Sequence, residues 1–532
     1  MPTLHKVSVV FFGVLTSRWS GLCVFLCFIF RTNYPSMSVS LVLLGSIAVG
    51  YIIWYVATKW RVWRVASKAP MISGYVPIVG HAHKFLGNGV HVFNVLKDVS
   101  KETNERGGVA TMWFGPYLVY VVTDPETVHK IANECLKKHF LYSFGEAFLG
   151  QGLFTARSVP IWKRNRKLLV PAFNQHILDG FLEIFNEQSR VLVSKLAVKV
   201  GTEKFDHFPA LSKNALEIIC RTALGVPKLG ENLVTKAYSE AASKMFSIPR
   251  QRFVKFWYHN DFLYKRSSLK RQEDQVAKIV HDMSNEVMQT TKLTHKEKDT
   301  NTDNYGSGRR FKVFLDLMLE LRDKGELTDQ QIREELDTII AAGYDTSSTT
   351  LMYTLLLLGS HPEVQDKVYR ELTEVFGNSD RDVTKADMPK LVYTEAVLKE
   401  SLRVIPIAQV LIRYAQKDVK LKNVTIPKDS TILLSVAGMH SHECWGPDVE
   451  VFRPERWISG GALIPTPAAF SAFSVGRRNC IGKTYATMSI KTSLAHLLRH
   501  YRVTADMDSF VLKHDFIIKP ESGWQIALQR RN

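Results

Sequence analysis

Cysteine is scarce: 532 residues contain 6, namely Cys23, Cys27, Cys135, Cys220, Cys444 and Cys480, at irregular spacings. That usage argues against a disulfide framework or a C-x-x-C zinc site and fits a reducing compartment. His440, His442, Glu443 and Cys444 gather metal-binding residue types, but their spacing fits no standard zinc pattern. A dinucleotide fingerprint is missing too, because Gly150 and Gly152 form a G-x-G without its remainder. Acidic residues are the minority charge, 51 against 69 Lys and Arg, for a formal net charge of +18. The basic residues are dispersed and no nucleic-acid-binding signature accompanies them, so nucleic acid is not an expected partner. Anionic membranes and acidic proteins suit such a surface instead. No internal repeat and no clear linker interrupts the middle of the chain, so the length is read as one large body after an N-terminal segment. With 45% hydrophobic and 23% charged residues, that body can bury a sizeable core.

What is present at the N-terminus is apolar. Residues 37–58 form a nearly unbroken apolar segment of about 20 residues, the length a helix needs to cross a bilayer. Lys59, Arg61, Arg64 and Lys68 follow, and this basic flank keeps everything downstream on the cytosolic side. Trp54, Tyr55, Trp60 and Trp63 suit the interfacial belt. The expected arrangement is a transmembrane anchor with the body facing the cytosol. Residues 1–36 carry two shorter apolar stretches and read either as an upstream extension of the reading frame or as a second membrane segment. Residues 59–80 form a basic flank and a proline- and glycine-containing hinge, and residues 81–532 the body.

The body reads as mainly α with small β-sheets. Val109–Phe114 and Tyr117–Val122 around Gly115-Pro116 predict a hairpin, and Asp124-Pro125 the start of a helix. Strands are expected to be sparse from there to Trp524–Leu528. Helical patterns cover Val364–Phe376 and Thr394–Val404, and the longest runs from Asp329 to Leu358 behind a capping box of Thr328 and Gln331. The polar run Thr291–Arg309 lacks an apolar face and is expected to be an exposed loop.

The most informative stretch is Phe473-Ser-Val-Gly476-Arg-Arg478-Asn-Cys480-Ile-Gly482, which places a lone thiol on a glycine-bracketed loop before the helical run Lys483–His500. Taken alone, Cys480 is either a buried structural cysteine or a thiolate favoured by the helix N-terminus and suited to iron. The stretch has the form F-x-x-G-x-R-x-C-x-G and resembles the haem-binding signature of the cytochromes P450, with all five fixed positions present.

That resemblance implies a cytochrome P450 fold with an N-terminal transmembrane helix, a haem b (iron protoporphyrin) cofactor and Cys480 as axial iron ligand, with Phe473, Gly476, Arg478 and Gly482 forming its loop. Trp162 and Arg166 resemble the W-x-x-x-R helix that meets the haem propionates, with Arg478 a further propionate partner. Ala341-Ala342-Gly343-Tyr344-Asp345-Thr346 resembles the oxygen-activating segment, in which the helix opens at Gly343, Thr346 holds an ordered water and Asp345 relays protons. Without the resemblance, Gly343 would be a close-packing site and Thr346 a hydroxyl bonded back to its own helix. Glu400 and Arg403 form an E-x-x-R motif expected to join Arg456 in a buried structural network.

Glu335 to Ser347 is similar to the signature of the fatty-acid ω-hydroxylase clan, and the chain as a whole resembles that clan's insect members. Where many of those enzymes carry a glutamate esterified to haem, this chain has Ala342. The implied activity is monooxygenation of an apolar small molecule. The implied partners are NADPH–cytochrome P450 reductase and cytochrome b5, since the chain shows no nicotinamide or flavin site. The alternatives are a haem-thiolate isomerase or dehydratase, against which Asp345-Thr346 counts, and a non-catalytic haem protein.

Two surface expectations follow. Arg250, Arg252, Phe253, Lys255, Phe256, Trp257 and Tyr258 mix cations with aromatics and suit either a lipid interface or an ordinary amphipathic surface helix. Arg477, Lys483, Lys163, Arg164 and Lys167 are candidates for one basic patch that receives an acidic reductase.

Overall fold

The computed structural model describes residues 45–47, 49–50, 64, 66, 68–225, 236–300, 313–458 and 468–531, and of 293–300 the backbone alone. The chain divides into two compact units, Met1–Ser67 and Lys68–Asn532. The few described residues of the first unit are helical, and the expected anchor at 37–58 lies largely outside the described residues. Among the described residues no helix is long and apolar enough to cross a membrane.

The second unit is mainly helical. The helices that position the site are α1 (Pro125–Glu134), α2 (Val159–Leu169), α3 (Leu182–Ala197), α4 (Phe208–Leu224), α5 (Lys236–Val254), α6 (Ser268–Thr300), α7 (Asp329–Ser360), α8 (Pro362–Phe376), α9 (Val392–Val404) and α10 (Lys483–His500). Local signals account for several starts. Asp124 caps α1 by accepting from Thr127 N–H at 2.8 Å, with Pro125 where a missing N–H costs nothing. Thr328 and Gln331 close a reciprocal capping box on α7, at 3.2 and 3.0 Å. Helix α7 thus extends two residues past the expected Leu358 and is one residue shorter than α6.

The strands are β1 (Val109–Phe114), β2 (Tyr117–Val122), β3 (Lys137–Lys138), β4 (Val410–Tyr414), β5 (Val419–Lys420), β6 (Thr425–Ile426), β7 (Thr431–Ser435), β8 (Tyr501–Ala505), β9 (Val511–Asp515), β10 (Ile517–Ser522) and β11 (Ile526–Arg530). The β1–β2 hairpin has the expected bounds, with Phe114 facing Tyr117 across the turn. It forms one edge of a five-stranded sheet ordered β1-β2-β7-β4-β3. The expectation of sparse strands before Trp524 is corrected. Strands β4 and β7 are only five residues long, and β7 finds its parallel partner β2 some 300 positions away, so neither carries a local hairpin signal. The hinge is also less free than its composition implies, because Met71 and Gly80 bridge to Thr111 and Phe114 of β1. A second correction concerns Thr291–Arg309: residues 291–300 continue α6, since adding a turn to an existing helix needs no apolar face. Residues 301–309 lie outside the described residues.

Helix α7 runs through two hydrophobic clusters. Its first half, Ile332 to Tyr344, packs with α4, α5 and α6, and its second half, Leu351 to Leu358, packs with α8, α9 and α10. Residues 345–350 lie at the seam between them.

Candidate active site

Accessible surface appears where the first cluster gives way to that seam. Between Glu334 and Gly359 every residue of α7 is buried except Ala342, Gly343 and Thr346, and Ala342 is fully in the exposed class. Their i, i+1, i+4 spacing puts them on one face. Apolar surface left open in the middle of a core helix marks the wall of an internal void. Cys480 gives the same signature: it is exposed by accessible surface, yet burial pushes its thiol upward as for a deeply enclosed group.

The loop carrying Cys480 is built as its sequence demands. Gly476 has φ +71 and lies so close to α1 that an added Cβ would sit 3.0 Å from the Ala132 backbone. Cys480 N–H donates to Phe473 O at 2.8 Å, closing the loop. Gly482 is the N-cap of α10, and its N–H, with the cations of Arg166 and Lys483, pulls the Cys480 thiol toward thiolate. Burial outweighs these pulls, so the helix terminus alone does not secure the thiolate that the sequence suggested. A metal cation is the element that would.

Arg478 and Trp162 meet directly, the guanidinium carbon 4.2 Å from the ring centroid. Arg166 donates to Asn479 O at 2.6 Å and to Asn479 Oδ1 at 2.5 Å. In this structure Arg166 therefore braces the cysteine loop against α2. The sequence reading missed two neighbours of Arg478, namely Lys138 and Arg413. Both are buried, and burial together with the charge of Arg413 and then Arg478 holds the Lys138 ammonium well below its ordinary range. Arg478 is itself lowered to about 9, chiefly by burial and then by Arg413. Arg478 Nε and Nη2, Arg413 Nε and Arg157 Nε are buried without hydrogen-bond partners. No ion pair among the described residues reaches Lys138, Arg413 or Arg478. Buried cations with orphaned donors require an anion, and the two carboxylates of a haem fit that cradle.

On α7, an added Cβ at Gly343 would lie 2.7 Å from the Ile219 side chain, so α4 packs tightly here. Thr346 Oγ1 donates back to Ala342 O at 2.6 Å, and α7 is continuous through this point rather than opened. Both structural readings of these residues thus hold in this state. Asp345 is gripped from another element, accepting from Lys519 Nζ of β10 at 2.5 Å. Glu335 accepts from Asn165 Nδ2 of α2 at 2.9 Å and Leu153 N–H at 3.1 Å, tying the Trp162 helix to α7. Gly152 packs on the same helix, where an added Cβ would lie 2.1 Å from Thr338 Oγ1, so the G-x-G belongs to helix packing.

Glu400, Arg403 and Arg456 meet in one hydrogen-bonded network. Glu400 Oε1 accepts from Arg403 Nη2 at 2.8 Å and Arg456 Nε at 2.9 Å, and Oε2 from Arg403 Nε and Trp457 Nε1, both at 2.9 Å. All three charged residues are buried. The network extends through His440, missed from sequence. Its Nε2 accepts from Ser471 N–H at 2.9 Å, leaving Nδ1–H to donate to Arg403 O at 3.1 Å, so α9 is linked to the residues that lead into Phe473.

The Cytochrome P450 family model matches residues 70–527. Cytochrome P450 4V2 of Mus musculus is 33% identical over 485 residues, covering 89% of this chain and 91% of its own. Cytochrome P450 4c3 of Drosophila melanogaster is 30% identical over 511 residues, covering 93% and 95%. A crystal structure of a cytochrome P450, CYP102L1, matches the fold with a TM-score of 0.73 at 20% identity, covering 87% of this chain and 99% of that one. With the thiol loop, the cationic cradle and the void all within the matched span, the chain belongs to the cytochrome P450 family, as a haem-dependent monooxygenase similar to its insect members.

Proposed function

We propose that this chain is a membrane-bound haem-thiolate monooxygenase of the endoplasmic reticulum, its body facing the cytosol, that inserts one atom of O2 into an apolar lipid, hormone, terpenoid or xenobiotic. The observation that carries the reading is the pairing of an enclosed thiol with an open face of α7 limited to Ala342, Gly343 and Thr346. Haem b would be held by Cys480 at iron and by Arg478, Arg413, Lys138 and Trp162 at its carboxylates, and when bound supplies the centre at which O2 is reduced. The chain's own residues then do the rest. The E-x-x-R network fixes the thiol loop. Thr346, on the open face, would hold a water, and Asp345, beside it, would move a proton at its carboxylate. Aromatic contacts of Phe516 with Phe246 and Phe154, at 5.5 and 6.0 Å, give the neighbouring hairpin turn an apolar character suited to such substrates.

Electrons would come from NADPH through NADPH–cytochrome P450 reductase, with cytochrome b5 a second donor. Lys163, Arg164, Lys167, Arg477 and Lys483 are all exposed, and the Arg166–Asn479 bonds join the two segments that carry them, which supports one basic docking face. Phe253, Phe256, Trp257, Phe262 and Leu263 are exposed together at the end of α5 and beyond, which supports lipid contact over an ordinary helix face. The test is NADPH consumption with purified reductase against a panel of lipids, terpenoids and plant toxins. Substrate-dependent consumption with an oxygenated product supports the reading; a product formed without NADPH or O2 identifies an isomerase or dehydratase, and no product with any compound a non-catalytic haem protein.

A further inference from the structure

Lys519 is the partner that Asp345 has in this structure. Its ammonium donates to Asp345 Oδ1 at 2.5 Å and to Thr349 Oγ1 at 2.9 Å, two side chains one turn apart on α7. It also lies 4.7 Å from the centre of the Phe208 ring. The pair is largely enclosed, with side-chain exposures of 19% for Lys519 and 10% for Asp345. The fold delivers the ammonium there. Ile518, its neighbour, has both backbone groups engaged, N–H to Ile407 O at 3.0 Å and O from Tyr353 OH at 3.1 Å. Strand β10 therefore cannot slide along α7. Three residues before Lys519 stands Phe516, at φ +63, a conformation unusual for an aromatic residue and held here by its contacts with Phe246 and Phe154.

We propose that Lys519 is a positioning residue for proton delivery: its ion pair holds the Asp345 carboxylate in the geometry from which it serves Thr346. This rests on the assignment of Asp345 made above. In coupled turnover the O–O bond breaks, one oxygen enters a C–H bond of the substrate, and the other leaves as water with two protons and the two electrons of NADPH. When protons arrive late, O2 takes the same two electrons and two protons and leaves as hydrogen peroxide. A carboxylate freed from Lys519 loses both its counter-charge and its fixed orientation, so the balance shifts toward peroxide.

The test uses the full-length haem-loaded chain with reductase and dodecanoic acid as the apolar probe, and reads hydrogen peroxide formed per NADPH consumed together with the solvent deuterium isotope effect on NADPH consumption. Lys519→Met should raise the peroxide fraction several-fold and change the isotope effect, and Lys519→Arg, which keeps the cation, should restore both toward wild type. Because Lys519 acts through Asp345, the double variant Asp345→Asn/Lys519→Met should match Asp345→Asn alone. A merely structural pin would lower Tm in Lys519→Met and leave peroxide fraction and isotope effect untouched, which overturns the proposal; additive effects in the double variant overturn it as well. If Asp345→Asn by itself changes neither readout, the assignment of Asp345 is what fails, and the inference falls with it.

Discussion

Asp337 is buried on α7, accepting from Ser284 Oγ at 2.5 Å and facing Arg333 Nη1 at 3.3 Å and His281 Nε2 at 3.8 Å. Burial raises its carboxyl from 3.8 to about 7, with Ser284 and Arg333 opposing. The folded chain thus keeps a proton that the unfolded chain has lost at intermediate pH. The resulting stabilisation is fully present below pH 3.8 and is lost as pH rises through about 7, at a slope of about 1 kcal/mol per pH unit. Asp337→Asn, neutral throughout, should equal wild type in thermal unfolding at about pH 3, exceed it at pH 5 and exceed it further at pH 8; a variant less stable at all three would mean that the ionised carboxylate is needed. Thr346 carries a different expectation. Thr346→Ala removes one hydroxyl bonded to Ala342 O and no packing core, so folding and haem content should be kept while product per NADPH falls and peroxide rises. Unchanged coupling would assign the hydroxyl to helix geometry alone.

At the scale of elements, the braces matter more than the loop they hold. Glu400 joins α9 to Arg456 and Trp457, and His440 joins α9 to Ser471 just before the thiol loop. Arg403→Ala leaves Glu400 short of two of its donors and several backbone carbonyls exposed in the interior, at a cost of about 3–5 kcal/mol. Thermal unfolding and haem retention during gel filtration should both fall, and a variant that keeps haem as tightly as wild type would remove the bracing role. These helices were legible because capping boxes, an Asp-Pro start and i,i+3 pairs are local signals. Strands β4 and β7 were not, because each is only five residues long and, besides pairing with the other, takes its second partner from the first third of the chain, β3 for β4 and β2 for β7. The same holds within the site. The P450 motifs mark Cys480, Arg478 and Trp162, whereas Lys138 and Arg413 converge through sheet pairing and Lys519 through the bonds of Ile518 to Ile407 and Tyr353. A cation inside Val410–Tyr414, an otherwise apolar and aromatic strand, was the one available hint.

The whole molecule is organised around what must reach the enclosed thiol. Electrons are expected through the basic face shared by α2 and the thiol loop. Lys163→Glu with Lys167→Glu should slow reductase-driven turnover, raise the reductase concentration needed for half-maximal rate and leave peroxide-driven turnover intact, with added salt mimicking the first effect over a screening length of about 8–10 Å. Equal losses in both assays would point to damage at the haem site. Substrate is expected from the lipid side, so a chain lacking residues 1–58 should still float with liposomes, and charge substitutions at Phe256 and Trp257 should abolish flotation; flotation indifferent to them would reject lipid contact there. All of this depends on Cys480 being the iron ligand. The most direct test is the absorption spectrum of the reduced, carbon-monoxide-bound protein after Cys480→Ser. The thiolate-type band of the wild type should disappear together with activity, and a Cys480→Ser protein that keeps that band would show that another residue holds the iron.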